Sequence, residues 1–304
     1  MNIVMNKVNE NKFFSSFSLK CIAVVSMVLD HAGEYLGLPI CFRYIGRLAA
    51  PIFLFCCVEG CVHTKDRKKH LKYLYFASIV MSLFDAWAMI SVNFFRTLFS
   101  VSLIVYCMEE YQKTRKKSIW VKYTLWQVFS CLFCYGLLWG NEIFSCKWID
   151  FECLGTYIFP ALLGNLLFLE GGVFYVVVGV WFYYARNNRK KLSIGYIILV
   201  FAFIFGLQSN PILQYGIIAK LYSLGLFGEI LLQSYEVIGE LFLNIGGIYY
   251  WSPRENYQWM MVFALPIILQ YNGEKGKGCK GFFYVFYPLH YIILYVIGTY
   301  IVSA

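Results

Sequence analysis

The sequence predicts an all-α, polytopic integral membrane protein with 9–11 transmembrane helices and a cytoplasmic N-terminus, built as a single domain over residues 1–304. Three observations carry that prediction. The chain is 60% hydrophobic and 20% aromatic but only 14% charged, against roughly 25% charged residues in soluble domains. Its apolar stretches recur at lengths near the roughly 20 residues a bilayer core demands, and they lack the dyad alternation of an outer-membrane barrel. Basic residues gather in short clusters between those stretches, as they do in loops retained on the cytoplasmic side.

The clusters fix the elements in order. They are the N-terminus with Lys7, Lys12 and Lys20, then "HTKDRKKHLK" at 63–72, "QKTRKKSIWVK" at 112–122, "ARNNRKKL" at 185–192 and "NGEKGKGCKG" at 272–281. Counting outward from them places spans near 18–37, 44–62, 72–91, 97–111 and 119–140, then near 171–186, 192–208, 257–271 and 282–302. The first span follows three lysines as a signal peptide would. No small-residue cleavage pattern follows it, so it is kept as a membrane helix. Residues 154–169, "LGTYIFPALLGNLLFL", are short and broken by Pro160 and Gly164, which suits a re-entrant or interfacial helix. Residues 211–250 have the length for a further down-and-up pair, interrupted by Glu229, Glu236 and Glu240. The C-terminus is expected outside, and the location is the cell membrane, crossed several times.

A net charge of +9 then follows from topology, and no nucleic-acid partner is implied. The lipid bilayer is the first partner, and a basic cytoplasmic face draws anionic headgroups and anionic substrates. Most of the eleven cysteines lie inside expected spans, where cysteine behaves as a small hydrophobe. The group Cys56, Cys57, Cys61 and His63 has no metal-finger spacing and no second half, so no metal site is expected.

Ionisable residues at membrane depth are costly and mark function. In "KCIAVVSMVLDH", Lys20 and His31 stand eleven positions apart, close to three helical turns, so they share a face about 16 Å apart along the axis. Lys20 falls at the cytoplasmic edge and His31 near mid-bilayer; the plainer alternative is that Asp30 and His31 are helix-end groups reaching outward. In "FFYVFYPLH", His290 lies nine residues beyond Gly281, about 13 Å up the last helix, and Pro288 frees the Tyr284 carbonyl at that depth. Asp85, thirteen residues above Lys72, reaches a similar height. Together these suggest a polar chamber suited to general-base chemistry, imidazole being the side chain that most readily exchanges a proton near neutral pH. A proton relay in a transporter uses the same residue types.

The segments "LKCIAVVSMVLDHAGEYLG", "FRYIGRLAAPIFLFCCVEGCVHTKDRKKHL", "SLFDAW", "NFFRTLF", "MVFALPIILQYNGEKGKG" and "GFFYVFYPLHYIILYVIG" resemble the successive motifs of the TraX family, named for pilin N-acetylation in F-type conjugation. The likeness covers residues 19–111 and 257–300 well and the middle third poorly. It extends to the transmembrane acyltransferases that include the acyltransferase-3 family, in which a basic residue, ten intervening residues and a histidine mark the first membrane helix, a spacing that Lys20 and His31 match.

The resemblance implies acetyl or other acyl transfer from cytosolic acetyl-CoA, as co-substrate, to an amine or hydroxyl acceptor on a protein or a glycan of the envelope. Lys20 would grip CoA phosphate while the long pantetheine arm carries the thioester toward His31. His31 would be the general base, with Asp30 or Asp85 orienting it, and His290 and Asn93 would line the chamber or polarise the acyl carbonyl. Arg43 and Arg47, four apart and on one helix face, depart from the closer arginine pair of the acyltransferase-3 family. They are expected either to bind an acidic acceptor or the oxyanion, or to pair with Glu34. The alternatives are a proton-coupled transporter or flippase, and an assembly anchor with no chemistry of its own.

Overall fold

The computed structural model describes residues 12–143, 150–204, 220, 223–225, 227–229, 231 and 257–302. Among them regular structure is helical, and one isolated parallel bridge, Phe14 to Tyr271, stands where no strand forms. The helices are α1 (Ser16–Tyr35), α2 (Cys41–Gly46), α3 (Ala49–His63), α4 (Arg67–Ala88), α5 (Phe94–Thr114) and α6 (Ser118–Ile143). They continue with α7 (Phe151–Leu163), α8 (Gly172–Ala185), α9 (Arg189–Phe201), α10 (Tyr257–Leu269) and α11 (Lys280–Ile297). Among the described residues three segments, Ser16–Tyr35, Cys41–His63 and Gly281–Tyr300, are long and apolar enough to cross a membrane. The pair expected over 211–250, including Glu236 and Glu240, falls almost wholly outside the described residues, as does the C-terminal Ala304.

The chain divides into two compact units, one of residues 1–56, 184–204 and 251–304, the other of residues 57–183 and 205–250. In the first, Ser15 caps α1 by accepting from the Ser18 amide at 3.2 Å. The first-turn amides of Ser16 and Phe17, which have no partner within the helix, donate to the carbonyls of Glu274 (2.8 Å) and Lys275 (3.1 Å). The basic 272–281 segment is therefore fastened to the N-terminus of α1, so two of the charge clusters lie at one end of this unit.

From that end α1 and α11 run side by side in the same direction. Phe17 and Lys20 meet Phe283 at the start, with ring centroids 6.0 Å apart for the phenylalanines and Lys20 Nζ 5.7 Å from the ring. Tyr35 meets Tyr291 and Tyr295 at the far end, at 5.4 and 5.8 Å.

In the second unit α4 is patterned opposite to a soluble helix. Its buried face holds Ser78, Ser82 and Asp85 beside Leu74 and Met81, while Tyr73, Phe76, Val80, Leu83 and Trp87 form an exposed apolar stripe at helical spacing. On α6, Val121, Leu125, Val128, Phe129 and Leu132 are likewise exposed.

The segment expected to be re-entrant is a broken helix. Pro160 has no N–H to donate, and α7 widens into a π turn over Leu154–Ile158 just before it. The helix stops at Gly164, whose φ of 61° is the left-handed conformation that glycine adopts without strain. Side chains take up the carbonyls that the break leaves open: Tyr75 Oη donates to Leu162 O (2.7 Å), Trp126 Nε1 to Leu163 O (2.8 Å) and Gln127 Nε2 to Gly164 O (3.1 Å). Arg96 donates to Leu167 O and to Phe168 O (3.1 Å), and Thr97 Oγ1 to Glu170 O (3.0 Å). Irregular backbone away from water persists only when such partners exist.

Candidate functional site

Consecutive helical residues diverge by about 100° around the axis, so Asp30 and His31 serve different neighbours. His31 turns to α11. Its Nδ1 lies 2.9 Å from His290 Nε2, with both side chains buried. His290 Nδ1 is 3.0 Å from the carbonyl oxygen of Phe286, one turn earlier on α11.

That chain sets the tautomers. A carbonyl only accepts, so His290 Nδ1 carries hydrogen and donates to Phe286 O. Neutral His290 then offers a lone pair at Nε2, and His31 Nδ1–H donates to it. His31 Nε2 is left as an imidazole lone pair with no hydrogen-bond partner among the described residues. Tyr291 packs its ring edge against His31 at 4.5 Å, and its hydroxyl is 2.5 Å from that of Tyr35. Phe286 stacks on His290 at 5.3 Å. The rings are thus held in place from two sides.

Asp30 turns to α2, where Arg47 Nη2 pairs with Oδ2 and Arg43 Nη1 lies 3.2 Å from Oδ1. Arg43 also donates to Glu34 Oε2 (2.5 Å), to the Asp30 carbonyl (3.2 Å) and through Nε to Tyr257 Oη (3.1 Å). The Tyr257 ring lies under both guanidinium groups, at 5.8 and 5.2 Å. Two carboxylates thus face two arginines. The helices come this close because residue 46 is glycine: a Cβ there would stand 2.2 Å from Asp30 Cβ. The pair with Glu34 that the sequence suggested for Arg43 is formed.

The partner expected for His31 was Asp30 or Asp85, and the partner the fold supplies is His290. Asp85 and Asn93 belong to the second unit, both buried, in a polar group with Arg96. There Asn93 Nδ2 donates to Ser78 O at 2.7 Å. The reading from sequence assigned no role to Arg96, Tyr35, Tyr257 or Tyr291. Arg96 was the most accessible of these, a lone arginine inside the apolar run "NFFRTLF".

Lys20 and His31 both face α11, where their neighbours Phe283 and His290 lie seven residues apart. The face thus presents a cation at one end and an imidazole lone pair well up the helix.

A family model described as "TraX protein" matches residues 15–141 and 151–298. The middle third, in which the motifs are hard to follow by eye, falls within that match except for residues 142–150. A probable fimbrial assembly protein FimC, serogroup H1, of Dichelobacter nodosus is 34% identical over 84 residues, which are 26% of this chain and 34% of that protein. The matched stretch spans about a third of that relative's length. No solved structure matches the chain. With the family match running through nearly all of both units, the chain belongs to the TraX family.

Proposed function

We propose that this chain is a multi-pass membrane acyltransferase that moves an acetyl group from cytosolic acetyl-CoA to an amine or hydroxyl acceptor, in the manner of the transmembrane acyltransferases related to acyltransferase-3. The observation that carries the reading is the wired pair: His290, locked by the Phe286 carbonyl, holds His31 Nδ1–H and leaves Nε2 open. That is the state a general base needs.

In the reaction, His31 Nε2 takes the proton from the acceptor N–H or O–H as the acceptor attacks the thioester carbonyl. The C–N or C–O bond forms, the C–S bond breaks, and the imidazolium returns its proton to the departing CoA thiolate. Throughout, Nδ1–H stays on His290, which spreads the transient charge. Lys20, eleven residues earlier on α1 and so about 16 Å away, binds CoA phosphate at the rim. The Asp30–Arg43–Arg47 cluster braces α1 on its other side.

The exposed apolar stripes of α4 and α6 support lipid as the solvent, and the basic clusters of the sequence are what support 9–11 crossings with the N-terminus inside. The family name and the fimbrial relative point to pilin as the acceptor, with a glycan or envelope polymer as the competing choice, and to a role in conjugation or fimbrial assembly.

The test is release of free CoA by detergent-purified protein given acetyl-CoA and amine or hydroxyl acceptors. His31→Asn, which cannot take a proton near neutral pH, is expected to lower turnover by about 100-fold or more while acetyl-CoA still raises the thermal midpoint. Near-normal turnover in His31→Asn would remove His31 from the chemistry. A transporter or flippase using the same imidazoles would release no CoA and show no midpoint shift with acetyl-CoA.

A further inference from the structure

The acyl-transfer reading leaves unused a cluster of two buried thiols and an imidazole. Cys57 and Cys61 lie four apart on α3, so their thiols stand one above the other on a single face. Both reach Ser102 Oγ of α5, at 3.2 and 3.3 Å. The tight turn after α3 is closed by Asp66, whose carboxylate accepts from the Lys69 amide at 2.9 Å as the cap of α4. That turn brings His70, in the opening turns of α4, back over α3: its Nε2 would be 3.9 Å from a Cβ at Gly60, between the two cysteines.

The ligand atoms of Cys57, Cys61 and His70 all lie within 4.8 Å of one another. His70 Nε2 is a buried atom of a half-buried ring, and the thiol of Cys57 is the group that faces it. Two thiols and an imidazole nitrogen converging on one point are the donor set of a soft metal ion. Beside them is a cavity of about 10 Å³ lined by Cys61, His70, Ser102 and Glu109, near the smallest volume that holds one water. His63, the histidine nearest in sequence, turns elsewhere, with Nδ1 3.0 Å from the Glu59 carbonyl oxygen.

We infer that Cys57, Cys61 and His70 form a site for one Zn²⁺, completed by a water in the cavity that Glu109 can accept from. Two sulfurs and an imidazole exclude the hard cations Mg²⁺ and Ca²⁺. Charge separates the soft ones. Two thiolates, a neutral imidazole and a divalent ion sum to zero, which suits a site whose cysteines are only 8% and 5% exposed; Cu⁺ would leave an uncompensated negative charge there. Among divalent ions, zinc outbinds Mn²⁺ and Fe²⁺ at such ligands and accepts tetrahedral geometry. The ion ties the end of α3 to the start of α4 across the short turn Thr64–Lys65–Asp66. Glu109 is already paired with Arg67, so it serves as an outer partner of the water.

The spacing is Cys-x3-Cys-x8-His, which lacks the second ligand pair of a finger pattern and is legible only once α3 and α4 fold back on each other. The inference stands on this cluster and does not rest on acyl transfer.

The experiment titrates reduced, chelator-treated full-length protein in detergent with Co²⁺ and then Zn²⁺. One Co²⁺ per chain is expected, with the near-ultraviolet thiolate band and the intense visible bands of tetrahedral cobalt, displaced by one equivalent of Zn²⁺. Cys57→Ser, Cys61→Ser and His70→Ala should each weaken binding by more than the roughly 10–100-fold that loss of an outer partner costs. Cys56→Ser and His63→Ala should leave it unchanged. Should the ligand variants fail to fold, the unaltered protein still decides: Zn²⁺ must slow alkylation of Cys57 and Cys61 while the exposed Cys41 and Cys279 react at their former rate. Absence of the thiolate band, unchanged binding in His70→Ala, or equal alkylation with and without Zn²⁺ overturns the site.

Discussion

His31 owes its free lone pair to the ring beside it. If His290 Nε2 did not accept from His31 Nδ1, the proton of neutral His31 would be at liberty to sit on either nitrogen, and the base would be occupied part of the time. His290→Phe keeps the ring volume and removes the acceptor. Turnover is expected to fall by about 10–100-fold, the scale for losing a group that orients a functional imidazole, with little change in KM for acetyl-CoA. His290→Gln, which can present an amide oxygen, should recover part of the loss; equal rates for the two variants would make the histidine a packing residue. At the other end of the face, Lys20→Ala is expected to raise the Kd for acetyl-CoA more than it lowers kcat, because a phosphate contact exists in ground and transition states alike. Lys20→Arg should restore most of the binding, and an unchanged Kd in Lys20→Ala would reduce the lysine to a topology signal.

Among the elements, the contact of α1 with α2 is the most sharply constrained. The Asp30 carboxylate meets Arg43 and Arg47 only because Gly46 leaves room for it. Gly46→Ala is expected to destabilise the protein by at least about 1–3 kcal/mol, the cost of overpacking a filled site, read as a lower unfolding midpoint in detergent. Asp30→Asn should cost about 3–5 kcal/mol by removing the carboxylate that Arg47 pairs with. An unaltered midpoint in both would mean that the cluster does not hold the helices. The irregular run after α7 relies on Arg96 in the same way. Arg96→Met leaves the carbonyls of Leu167 and Phe168 without their donors, at about 1–3 kcal/mol each.

At the scale of the molecule, membrane sidedness follows from charge. Single cysteines introduced at 68, 189 and 277 in a background without reactive thiols should be labelled only after the cytoplasmic side is opened, if these basic segments are retained inside. Labelling of position 68 or 189 from the outside would reverse the orientation and take Lys20 away from the CoA side. The backbone bonds from Ser16 and Phe17 to Glu274 and Lys275 add a requirement: the start of α1 and position 277 must report the same side.

Sequence alone determined the helical class, because composition and apolar run length depend on no neighbour. It also placed most helices close to where they form, since charge clusters and glycine or proline breaks act locally: Pro160 and Gly164 foretold the broken helix. The shared face of Lys20 and His31 follows from helical period and needed no fold. Pairing was another matter. Which group meets His31 depends on α11, whose His290 is 259 positions away, and no local pattern favours it over the adjacent Asp30. The Asp30–Arg43–Arg47 cluster depends on one missing methyl at Gly46, and the meeting of Cys57 and Cys61 with His70, in place of the nearer His63, depends on how α4 turns back on α3. Helix period says which residues share a face; only packing decides what that face touches.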